Sequence, residues 1–124
     1  MSTDTPKTTE DAALVTRPTP GLWRVTWGQH SFVMIVFKKG DELWCRGINP
    51  AVEHGTTPML VRDDGGVWEK AFLCRVVRRT DVTLKIDTFE HYAFGATREI
   101  AIAALQAHLD PDKLKITRID VLRE

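Results

Sequence analysis

Two adjacent carboxylate and imidazole pairs, Glu53-His54 and Glu90-His91, are the side chains of this sequence best suited to chemistry. Glutamate and histidine ligate divalent metals and act as general acid and base, so two such pairs could build a metal site. Both fall in stretches read as loops: the first inside residues 49–58, the second in the connection before a helix. Brought together, they would make a small metal-assisted hydrolase or nuclease, which is the alternative reading of the chain. Against it, adjacent loop residues seldom aim at one ion, and a loop histidine is commonly just solvated. No metal or other cofactor is expected.

Cys45 and Cys74 are the only cysteines, each within an apolar strand pattern and in no C-x-x-C spacing. Two buried reduced thiols are therefore expected, and a nucleophile and base pair of Cys45 with His30 or His54 is set aside. The remaining cluster is cationic: Arg75, Arg79 and Lys85, with Arg78 near the turn. Cations aligned on one sheet face suit an acidic protein partner or a phosphate backbone, although solvated edge charges are the commoner reason for them. Phosphate-binding glycine loops, H-E-x-x-H and G-x-S-x-G are all missing from the sequence.

The elements that must position these residues begin with residues 22–48, which read as three consecutive antiparallel strands. In the first, Trp23, Val25 and Trp27 share the inner face. The run from Phe32 to Phe37 is apolar on both faces, so it is expected to be a central strand covered on each side. Gly28-Gln29-His30-Ser31 and Lys38-Lys39-Gly40-Asp41 are the connections, with glycine where a hairpin needs positive φ. Residues 49–58 form a proline-bracketed surface loop, and Asp63-Asp64-Gly65-Gly66 a hairpin turn between residues 59–62 and a long strand, 67–79, that bends near Ala71.

Register in the next hairpin can be argued from its faces. A three-residue loop, Arg79-Thr80-Asp81, sets Arg78, Val76 and Cys74 opposite Val82, Leu84 and Ile86. The other face then carries Arg75, Arg79, Thr83 and Lys85. From Thr97 as N-cap, the spacing of Ile100, Ile102, Ala104, Leu105 and Leu109 predicts a helix ending before Asp110-Pro111, and this helix is the expected cover of the central strand. Residues 113–122 end the domain as a strand in which a change of phase predicts a bulge.

The fold class is thus α+β: a bent antiparallel sheet or small partly open β-barrel of about six to eight strands with one C-terminal helix packed on it. Residues 1–20, rich in Thr, Asp, Glu and Pro, are expected to be a mobile tail, and residues 21–124 a single domain. Seventeen basic and seventeen acidic residues cancel, so a global field for non-specific nucleic-acid binding is excluded and any such contact must come from the local basic patch. Neither a secretory signal pattern nor a bilayer-length apolar run is present, which gives a cytoplasmic expectation with no membrane contact. The texture, β-rich hairpins with many tryptophans behind a polar N-terminus, is similar to that of small accessory reading frames on phages and prophages.

The leading functional expectation is a non-enzymatic interaction protein that binds another macromolecule, most simply a protein, as a phage- or prophage-encoded modulator of a host system would. The candidate surfaces are the basic hairpin face and the loop with Glu53 and His54. Small-ligand binding in a tryptophan-lined barrel is a third reading, since four tryptophans are many for 124 residues, although large inner-face aromatics more often serve as core.

Overall fold

The computed structural model describes residues 14–48, 57–79, 85–112 and 115–124. The fold is α+β. Among the described residues, strands β1 (Leu14–Val15), β2 (Gly21–Trp27), β3 (His30–Lys39), β4 (Glu42–Gly47), β5 (Met59–Leu60), β6 (Val67–Arg79), β7 (Ile86–Phe94) and β8 (Ile116–Arg123) pair antiparallel, and one helix, α1 (Arg98–Leu109), precedes β8. Two compact units meet in sequence at Lys70 and Ala71, within β6, so that strand contributes to both.

In the first unit the strand order is β1-β6-β2-β3-β4-β5. The meander follows from its turns: Gly28 (φ 59°) and Gly40 (φ 63°) take the left-handed backbone that lets two residues reverse the chain between Trp27 and His30 and between Lys39 and Glu42. Alternation then sends Trp23, Val25, Met34, Val36, Cys45 and Trp68 into one core. Burying an indole such as Trp68 removes about 200 Å² from water, worth about 5 kcal/mol at ~25 cal/mol/Å².

Three expectations are corrected in this unit. The run from Phe32 to Phe37 is not covered on both faces: on one, Met34 and Val36 are buried but Phe32 is 49% exposed, and on the other Val33, Ile35 and Phe37 are only half-buried. No hairpin joins β5 to β6: β5 pairs with β4, an association that Val61 N continues by donating to the Leu43 carbonyl, while β6 pairs with β2, and the Trp27 indole donates to Asp64 in the segment between them. The expected tail is also shorter than residue 20. Leu14 and Val15 pair with Glu69 and Trp68, Pro18 is fully buried, and the Trp23 indole donates to the Thr19 carbonyl at 2.6 Å. Val15 and Pro18 supply apolar contacts that composition had averaged over the whole polar segment.

In the second unit β6 lies between β7 and β8. Phe72, Cys74, Val76, Ala93, Ala101 and Leu105 form its core, with Phe89, Leu109, Ile116, Ile119 and Val121 packed around them. Thr97 caps α1, its hydroxyl accepting from Ile100 N at 3.2 Å. The helix packs on β7 and β8, which corrects the expectation that it would cover β3, and its buried stripe is Ala101 and Leu105, with Ile100 left 40% exposed. The stripe repeats every fourth residue, as a helix lying on a sheet requires. Asp110, buried at the helix end, accepts from both Lys115 N and Ile116 N at 2.8 Å and so fixes where β8 begins. The expected bulge is present as register shifts of β8 at Leu73/Cys74 and at Val77/Arg78.

Candidate interaction face

Strand β6 positions the cationic candidates. Cys74 and Val76 point into the core with no exposure, so Arg75, Val77 and Arg79 occupy the outer face. The observed register pairs Arg79 with Ile86, Arg78 with Asp87, Val76 with Phe89, Arg75 with Glu90 and Cys74 with His91. This overturns the three-residue loop. The apolar partners of β6 come from Phe89 and Ala93, further along than the Val82 and Leu84 of the expected pairing, because β7 runs from Ile86 to Phe94.

The shift redistributes the four cations. Arg75 and Arg79 remain on the outer face, exposed and without a side-chain ion pair or hydrogen bond among the described residues. Arg78 turns to the core side, where it donates to Asp87 Oδ2 at 2.8 Å with its guanidinium 5.1 Å from the Phe89 ring centre, covering the end of the core. Lys85 precedes β7 and stands outside the paired register. In their place β8 adds Arg118 opposite Val77, Asp120 opposite Arg75 and Arg123 opposite Leu73. Arg118 holds Asp120 at 2.7 Å.

On the β7 side the same face carries Ile86, 72% exposed beside Arg79, then Thr88, Glu90 and Tyr92. Burial pushes the Tyr92 phenol above its ordinary pKa, Glu90 adding to the rise and Arg123 opposing it. The face thus combines four arginines and two carboxylates with an exposed isoleucine and a half-buried tyrosine. Ile86, Tyr92, Arg118 and Arg123 were missed from sequence; period-two alternation carried past residue 87 and through the bulged last strand was the signal that would have found them.

The other candidates separate. Glu53 and His54 lie outside the described residues. Glu90 and His91 are within β7, not on a loop, and as successive strand residues they project to opposite faces, so they cannot converge on one ion. No group of three or more metal-ligating side chains occurs among the described residues. Cys45 and Cys74 are free and buried; burial raises both thiol pKa values, and Asp64 adds to the rise at Cys45. Trp23 and Trp68 fill the first core, with Trp27 packed edge-on to Trp68 at 6.3 Å, while Trp44 stands on the other face opposite Phe37 and Leu60. A cleft of about 120 Å³ beside Thr16, Arg17, Val61, Arg62 and Asp63 gathers no catalytic set. No helix among the described residues is long and apolar enough to cross a membrane. Comparison with protein-family models, with curated proteins and with solved structures finds no match for this chain.

Proposed function

We propose that this is a cytoplasmic, non-enzymatic interaction protein whose partner is another protein with an acidic, partly apolar surface, bound on the outer face of β7-β6-β8. One observation carries the reading: Arg75 and Arg79 stand exposed, and without a side-chain partner among the described residues, on a strand whose opposite side is committed to the core, with Ile86 and Tyr92 on the same face. Arginine and tyrosine around an apolar anchor are the side chains that concentrate binding energy at protein interfaces. Glu90 and Asp120, both opposite Arg75, offset part of the positive charge, which weakens the attraction of this face for a phosphate backbone. The finer reading, a phage- or prophage-encoded modulator of a host system, rests on the texture of the sequence alone.

The test is capture from a bacterial lysate by immobilised wild type and by Arg75→Glu/Arg79→Glu, compared by quantitative mass spectrometry. A protein retained by the first, lost by the second and eluted by salt supports the reading. Identical retained sets would remove it.

A further inference from the structure

Strand β8 pairs with β6 on one side only among the described residues, so its other edge presents unpaired backbone groups. The groups on that edge can be identified. Arg79 N donates to Lys115 O, so its backbone points towards β8; residues two apart on a strand point the same way, and so do Val77 and Arg75. The Val77 carbonyl accordingly accepts from the Thr117 hydroxyl. Their partners Arg118 and Asp120 therefore turn their N–H and C=O groups inward to β6, leaving those of Ile119 and Val121 on the open edge.

We infer that this edge pairs with the same edge of a second copy of the chain, antiparallel about a two-fold axis through Ile119. Ile119 exchanges its backbone bonds with the Ile119 of the other copy, and Arg118 of each copy lies directly opposite Asp120 of the other. Charge selects this register. Moving the axis by one residue either way sets Arg118 against Arg118 or Asp120 against Asp120, which is destabilising across a strand pair. The side chains that would meet are accessible, Arg118 being 70% and Asp120 36% exposed, and the ion pair they form with each other within one chain at 2.7 Å becomes a shared network of two such pairs across the axis. The pairing is isologous and closed, so it ends at the dimer. It also extends β7-β6-β8 into one sheet with both outer faces on the same side, placing two Arg75 and Arg79 pairs towards a common partner.

The experiment is sedimentation velocity of the full chain across roughly 1 to 300 µM, a range that brackets micromolar affinities. The expected result is a reversible dimer that Arg118→Asp and Asp120→Arg each weaken at least about tenfold and that the double exchange restores. Circular dichroism monitors folding. Should a reversal unfold the chain, Arg118→Gln must weaken the dimer instead. A monomer throughout the range, a dimer indifferent to these variants, or a double exchange without recovery overturns the inference.

Discussion

Replacing Asp110 by alanine should destabilise the protein by about 3 kcal/mol, because a single carboxylate oxygen there serves two backbone donors in a buried place. Asp110 Oδ2 accepts from Lys115 N and Ile116 N, both at 2.8 Å, and the residue is only 3% exposed. Hydrogen bonds to a charged acceptor contribute about 1.5–3 kcal/mol each, and sharing one oxygen places the pair near the lower end of the sum. Asparagine keeps an oxygen at that position without the charge, so Asp110→Asn should cost only about 1 kcal/mol. Urea unfolding followed by tryptophan fluorescence, analysed at constant m, measures both. A loss below about 1 kcal/mol for Asp110→Ala would show that the start of β8 is set by something else, such as packing of Ile116 and Ile119, and would refute the reasoning.

Three further outcomes follow from the same structure. Val76→Asp should cost several kcal/mol by burying an unpaired charge among Phe89 and Ile119, while Lys85→Ala should stay within about 0.5 kcal/mol in the same urea assay. Deleting residues 1–20 should cost at least about 1 kcal/mol in thermal unfolding, since it removes the β1 pairing, buried Pro18 and the carbonyl that holds the Trp23 indole. Asp64 has its pKa lowered, chiefly by the Trp27 indole N–H at 2.8 Å and further by Gly66 N; its contribution to stability is therefore complete above the ordinary carboxylate range and lost as pH falls through the lowered folded value. Asp64→Asn should accordingly flatten the decline of the unfolding midpoint below about pH 4, and a mutant that tracks wild type there would remove Asp64 from the account.

What the sequence disclosed, and what it hid, divides along physical lines. The meander of β2, β3 and β4 was legible because Gly28 and Gly40 mark its turns and a period of two runs unbroken between them. The helix was legible from the Thr97 cap and its spacing, but not its target. An apolar run such as that of β3 shows only that it needs cover; which element supplies it depends on long-range pairing that no local pattern encodes. The hairpin after β6 failed for a related reason: Val82 and Leu84 offered apolar partners as plausible as Phe89 and Ala93, so face matching alone could not choose between registers. At the candidate site, Arg75 and Arg79 were readable because β6 alternates cleanly with Cys74 and Val76, whereas Arg118 and Arg123 lie beyond bulges that break the phase of β8. Asp110 looked like a helix stop and proved also to be an anchor, since its two partners lie five and six residues away across a turn.

The most direct test of the interaction face is the affinity of wild type and Arg75→Glu/Arg79→Glu for the captured partner and for a labelled DNA duplex, each at low and moderate salt. The account predicts that the double variant keeps its folded circular dichroism and loses at least about tenfold in affinity for the protein partner, mostly through a slower on-rate with mild salt dependence, while neither chain binds duplex appreciably. Partner binding by the double variant as tight as that of wild type would contradict the account.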